Sequence, residues 1–172
     1  DRFSPQALAA RFPVLPAGTF ASLPGPDEKF AAALASGPTA LAVIGVTNNL
    51  PGARQPTRPL PALAARDPAT LRTLTRFPSA IASLPLLERN AAGAGLINAT
   101  LDGQRSTPER GVLRQTPTLA LIGEQPFLSL SLEMVRVALG NAGAVTVEAG
   151  AHGMEGIRIG DYSLPTRPNG EL

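Results

Sequence analysis

Apolar residues in this chain come in short runs cut by turn formers, and the spacing within each run predicts an element. Ser4-Pro5 ahead of residues 6–11 predicts a short helix, with Ser4 as its cap and Pro5 where a missing N–H costs nothing. A second helix is expected from Asp27. Its acidic start suits the helix dipole, and Phe30, Ala33 and Leu34 share one face. Gly37-Pro38 stops it. Residues 39–46 are continuously apolar between turn formers, the pattern of a strand buried on both faces. Residues 48–61 hold four Pro and one Gly and predict a long exposed loop.

Farther on, residues 63–65 and 71–74 read as short helical turns, and 79–84 and 86–92 as one or two helical segments. Residues 93–101 predict a second strand, with Asp102-Gly103 as its turn. Residues 104–110 predict a polar loop; 112–116 and 118–122 run apolar or alternate around Pro117, and Gly123-Glu124 marks a hairpin-like turn. Residues 129–139 predict the strongest helix, with Leu130, Met134, Val137 and Ala138 as its stripe. Residues 145–147 and 156–160 predict strands, and Gly160-Asp161 turns the chain into 162–165. No solenoid repeat is present. The fold class expected is α/β or α+β: a central mixed β-sheet flanked by helices, with long Pro/Gly-rich loops. One domain spans 1–172, with a Pro-rich loop at 47–61.

Composition narrows this picture. Hydrophobic residues make up 44% of the 172 positions, enough for a core, but aromatics only 4%. That core must be packed from Ala, Leu, Val and Ile. All basic residues but Lys29 are Arg, yet they are scattered and the net charge is only +2. The basic stripe that phosphate binding requires is missing, so nucleic acid is not an expected partner. Without Cys, disulfides, thiol catalysis and Cys-ligated zinc are excluded. The longest apolar run falls far short of the roughly 20 residues of a spanning helix. The chain therefore reads as a soluble piece excised from a longer protein.

Candidate chemistry is sparse. His152, the only histidine, stands in a Gly-rich turn without ligand partners, and no G-x-S-x-G elbow accompanies it. Neither a G-x-G-x-x-G nor a P-loop occurs, and Gly93-Ala94-Gly95 precedes a strand, where it predicts a tight turn into that strand. No catalytic residue, metal site or cofactor is expected. Asp102 and Asp161, each beside Gly, read as turn residues. Two polar residues interrupt apolar strands: Asn98, which must be hydrogen-bonded if buried, and Arg114, which points to solvent or meets an anion or carboxylate.

These fragments resemble a known family. Gly95-Leu96-Ile97-Asn98, then Asp102-Gly103, then residues 111–117 resemble a "glycine, apolar, asparagine" strand leading to "aspartate-glycine … arginine … proline". Residues 125–133 resemble that family's "tyrosine-proline-serine-leucine" lead into a helix, although Phe127-Leu128 stands where Tyr-Pro is usual. Ile157-Arg158-Ile159-Gly160, Leu164-Pro165-Thr166 and Asn169-Gly170 resemble its closing strands; residues 27–34 and 39–46 resemble its middle helix and strand. The family is the second type of CHASE domain, the cyclase- and histidine-kinase-associated sensory extracellular domain. The resemblance covers roughly residues 27 to 170. It departs at 104–110, which intervene between Asp102-Gly103 and the arginine position.

The resemblance implies a bacterial sensor on the extracytoplasmic (periplasmic) face of the membrane, anchored by spanning helices in the parent protein. A nucleotide cyclase, histidine kinase or Ser/Thr kinase domain would follow. It also implies a piece truncated at both ends, an unknown small-molecule or ionic ligand, and a homodimer. Asn98 and Arg114 match recurrent polar positions of the family and are the candidate ligand-binding residues. The competing expectation is a dimerisation module without a small ligand; a hydrolase using His152 is the weaker third.

Overall fold

Pro and Gly cut most of the apolar runs to lengths that suit strands better than helices, and the computed structural model bears this out. It describes residues 4–16, 18–48, 50–65, 67–102, 112–140 and 144–172. In chain order the elements are α1 (Pro5–Arg11), α2 (Pro26–Ala35), β1 (Ala40–Val46), β2 (Leu63–Ala65), a 3-10 helix (Pro68–Thr73), β3 (Arg76–Phe77), β4 (Ser79–Ile81), α3 (Pro85–Asn90), β5 (Gly93–Leu96), β6 (Thr100–Asp102), β7 (Val112–Gln115), β8 (Leu119–Ile122), β9 (Gln125–Leu128), α4 (Leu130–Ala138), β10 (Val145–Gly150), β11 (Gly153–Ile159) and β12 (Tyr162–Pro165). The fold is mixed α and β, as the sequence pattern predicts.

Strand pairings arrange these elements around β8. One sheet runs β4-β1-β5, with β4 antiparallel and β5 parallel to β1. Another runs β3-β8-β9. A bridge from Leu96 to Ser129 joins the end of β5 to the end of β9, and only Pro78 separates β3 from β4. The pairings therefore close a cycle, β4-β1-β5-β9-β8-β3. Val43, Ala80, Ala94, Leu96, Ala120, Ile122 and Phe127 form one core cluster from these strands, with Phe77 and Ala82 packed against it. Its three alanines interleave with Phe127, Ile122, Leu96 and Val43, and in this narrow core every added methyl group must find room in close packing.

The second core lies on the other side of β8. Strands β12-β11-β10-β2 form a sheet, with β2 parallel to β10. Val145, Val147, Met154, Ile157 and Ile159 from it pack with Leu60, Leu74, Leu119, Leu121, Leu128 and Leu132. Along β8, Leu119 and Leu121 enter this broad core, while Ala120 and Ile122 enter the narrow one. Alternation of side chains along a strand makes β8 the wall between them. A third, small cluster of Ala31, Leu34 and Leu87 seats α2 on α3.

Several expectations are corrected. Residues 63–65 and 79–84 were expected to be helical; Leu63–Ala65 and Ser79–Ile81 are strands, because tertiary pairing overrides a three-residue pattern with no period of its own. β1 is not buried on both faces: Ala42 is exposed, and Ile44 and its cross-strand partner Ile81 are 41% and 42% exposed. The expected α4 stripe is rotated. Leu132, Glu133, Arg136 and Val137 are its buried residues, and Met134 is exposed.

The rotation of α4 has a cause in β5. Gly93 and Gly95 do more than tighten the start of the strand; their missing side chains let α4 lie close on β5. A Cβ at Gly95 would sit 2.5 Å from Leu130 Cα, and one at Gly93 would sit 2.0 Å from Glu133 Oε1. Glu133 is thereby buried, and Arg136 neutralises it with a fork: Nε to Oε2 at 2.7 Å and Nη2 to Oε1 at 2.6 Å.

Candidate functional site

Asn98 has a local reason for its position. Residues 93–101 do not form one strand, as expected; β5 ends at Leu96 and β6 begins at Thr100. Ile97 still donates its N–H to Val43 O, at 3.0 Å. Beyond it, the Asn98 side chain replaces the strand. Its Oδ1 accepts from Gly45 N–H at 2.7 Å and its Nδ2 donates to Gly45 C=O at 2.8 Å. A side-chain amide carries the same donor and acceptor as a peptide unit, so it caps β1 where the ladder stops. Asn98 is half-buried there.

Gly45 is needed on the other side as well. A Cβ there would lie 2.4 Å from ring carbons of Phe77, so the ring rests directly on the β1 backbone. Phe77 and Thr75 come up from β3 and the residue before it, with Thr75 C=O accepting from Leu121 N–H at 2.9 Å. Between them opens a crevice of about 550 Å³, lined by Gly45, Val46, Thr47, Asn48, Leu50, Thr75, Phe77, Asn98, Ala99 and Pro117. It lies past the carboxyl ends of β1 and β5 and at the amino ends of β3 and β8. Among the described residues, the side chains of Thr47, Asn48 and Thr75 form no hydrogen bond within the protein.

The Pro-rich loop at 47–61 contributes to one wall through Thr47, Asn48 and Leu50, and most of its described residues are exposed, as expected, although it is anchored. After Leu50 it is strapped down. Arg54 exchanges two backbone hydrogen bonds with Ala80, at 2.8 and 2.9 Å. Its guanidinium reaches the buried Glu88 at 3.1 Å and the Ser83 carbonyl. Thr57 N–H donates to the same Glu88 oxygen at 2.9 Å, Pro56 is buried, and Leu60 enters the broad core. A buried carboxylate with a guanidinium and an amide on it is a firm anchor. The loop thus presents Thr47, Asn48 and Leu50 from a fixed base at Arg54.

The structure brings Asn98 together with Thr47, Asn48 and Leu50. The backbone of Arg114 is in β7, which pairs antiparallel with β6, beginning two residues after Asn98; its side chain lies outside the described residues. Residue Gly103 and the polar loop 104–110 also lie outside them. His152 is exposed in the turn between β10 and β11. Asp161 turns β11 into β12 beside Gly160, whose φ is 58°. Among the described residues no group of three or more His, Asp or Glu converges, and no helix is long and apolar enough to cross a membrane.

Sequence reasoning missed the half-buried Arg54 and the buried Glu88, Glu133 and Arg136. Only the last pair carried a readable signal, opposite charges at i and i+3 on a helix. No family model, curated protein or solved structure matches the chain.

Proposed function

We propose that this chain is the signal-sensing domain of a membrane-anchored bacterial receptor, a CHASE domain of the second type facing the extracytoplasmic side. In this reading it binds a small ligand and passes the signal to a cyclase or kinase domain across the membrane. The observation that carries the reading is the crevice at the ends of β1, β3 and β5. It gathers Asn98, Thr75, Thr47, Asn48 and Leu50 around a volume typical of small-molecule sites, roughly 300–1,000 Å³. Arg114, the other candidate, stands on β7 beside β6, and the reading does not depend on it.

A thermal-shift screen with metabolites and ions tests the reading, because a ligand that binds only the folded state raises Tm. At least one saturable shift is expected, together with a bilayer-spanning segment in the parent polypeptide. A broad screen without any shift contradicts it.

A second reading is favoured by a different observation. An almost wholly apolar groove of about 420 Å³ runs between α4 and β11–β12, lined by Leu132, Val135, Leu139, Ile159, Tyr162 and Leu164 among others. A face of this kind suits a homodimerisation module. Sedimentation that shows a concentration-dependent dimer, with no ligand found, would favour this alternative.

A further inference from the structure

We infer that the crevice takes an uncharged, hydroxyl-rich ring compound, a neutral sugar or cyclitol; this rests on the sensing reading above. The first ground is charge. No ionisable side chain lines the crevice among the described residues, although the chain carries fourteen Arg. Other hollows do hold charges: Glu148, Glu155 and Arg158 line one on the outer face of β10–β11. A carboxylate or phosphate ligand calls for an Arg fork or an equivalent, and a cation calls for a carboxylate. Against the described lining residues a charged ligand would lose water without gaining a charged partner, which is strongly unfavourable.

The second ground is hydrogen bonding. Thr47 and Thr75 each offer a hydroxyl that donates and accepts, and Asn48 offers an amide. Asn98 spends one N–H and one lone pair on Gly45 and keeps one of each. Because both atoms of its amide are already held, those remaining groups are fixed in direction before any ligand arrives. A purely apolar ligand would cover these groups and leave them without partners, at a cost in affinity.

The third ground is shape. Phe77 lies flat against Gly45, and its ring contributes apolar surface to the same crevice as the four polar side chains. A pyranose or inositol ring has the matching pair of surfaces, a C–H face for the ring and hydroxyls around its rim. The apolar groove beside β12 lacks the polar groups and does not fit such a compound.

The test is a calorimetric and thermal-shift titration of the whole chain with glucose, N-acetylglucosamine, myo-inositol and trehalose. Glucuronate and glucosamine, the anionic and cationic counterparts of glucose, are run beside them, with L-glucose as the control for bulk osmolyte effects. At least one neutral compound should give a saturable rise in Tm, and its charged counterparts should bind about tenfold or more weakly. Thr75→Val, close to isosteric and expected to fold, should weaken that binding about tenfold, the loss of one good hydrogen bond. Leu139→Ser, in the apolar groove, should leave it unchanged. If glucuronate or glucosamine binds best, the ligand class is wrong while the sensing reading stands. If the neutral panel is silent but another metabolite binds and Thr75→Val weakens it, the outcome is the same. If a sugar binds with an affinity indifferent to Thr75→Val, the site is wrong. If no compound of any class binds, the inference and the sensing reading fail together.

Discussion

The two faces of β8 are built from the same four-residue strand on opposite principles. On the narrow side, Ala80, Ala94 and Ala120 interleave with Phe127 and Ile122, and Gly45 of β1 lets the Phe77 ring rest on main chain. On the broad side, Leu, Val, Ile and Met fill a wider gap between β8–β9 and the β10–β11 hairpin. The narrow side has nothing to spare for growth, and the broad side nothing to spare for loss. The crevice opens at the end of the narrow side, where Asn98 and Gly45 substitute for the pairing that β5 no longer supplies. At that rim the Asn98 amide is held in place by the Gly45 backbone.

The largest effect should come from the ion pair that the glycines of β5 admit. Arg136→Ala strands the buried Glu133 carboxylate and should cost about 3–5 kcal/mol in urea denaturation. Replacing Glu133 and Arg136 together by Leu should recover most of that loss, since the cost lies in the unpaired charge. Next come two neighbours on β8. Leu119→Ala should open a cavity in the broad core and cost about 2–5 kcal/mol. Ala120→Leu should overfill the narrow core and cost about 1–3 kcal/mol or more. If Ala120→Leu proved neutral, the narrow side would be looser than its glycines and alanines imply.

Asn98→Ala removes two hydrogen bonds to the Gly45 backbone, at about 0.5–1.5 kcal/mol each, and should also abolish ligand binding in the crevice. The smallest change is expected at Arg76→Ala. Its partner Glu124 is exposed, and pairs of this kind contribute at most about 1 kcal/mol and often nothing measurable.

How far the sequence made this architecture legible follows from the range of each interaction. Helix starts were readable because caps and N1 prolines are local: Ser4-Pro5 and the Glu28 carboxylate, which accepts from Gly25 N–H at 3.0 Å, act within one turn. The β8–β9 and β11–β12 hairpins were readable from Gly123-Glu124 and Gly160-Asp161 for the same reason. Strands β2 and β4 were not, because three residues carry no period and their partners lie far along the chain. The strapping of the 47–61 loop was hidden similarly, since Arg54 finds Glu88 thirty-four residues away. Of the candidate site, Asn98 was visible as a polar residue in an apolar run, and the structure explains it by the Gly45 backbone. Thr75 and Phe77 carried no signal, because they become neighbours of Asn98 only when β3 pairs with β8.

The most direct test is a ¹H–¹⁵N correlation spectrum of the chain titrated with whichever sugar gives the largest thermal shift. The account predicts that amides of Gly45, Thr47, Asn48, Thr75, Phe77 and Asn98 move together in a saturable way, while those of Ile157, Ile159 and Tyr162 stay still. Perturbations confined to the groove between α4 and β12, with the crevice amides unmoved, would contradict it.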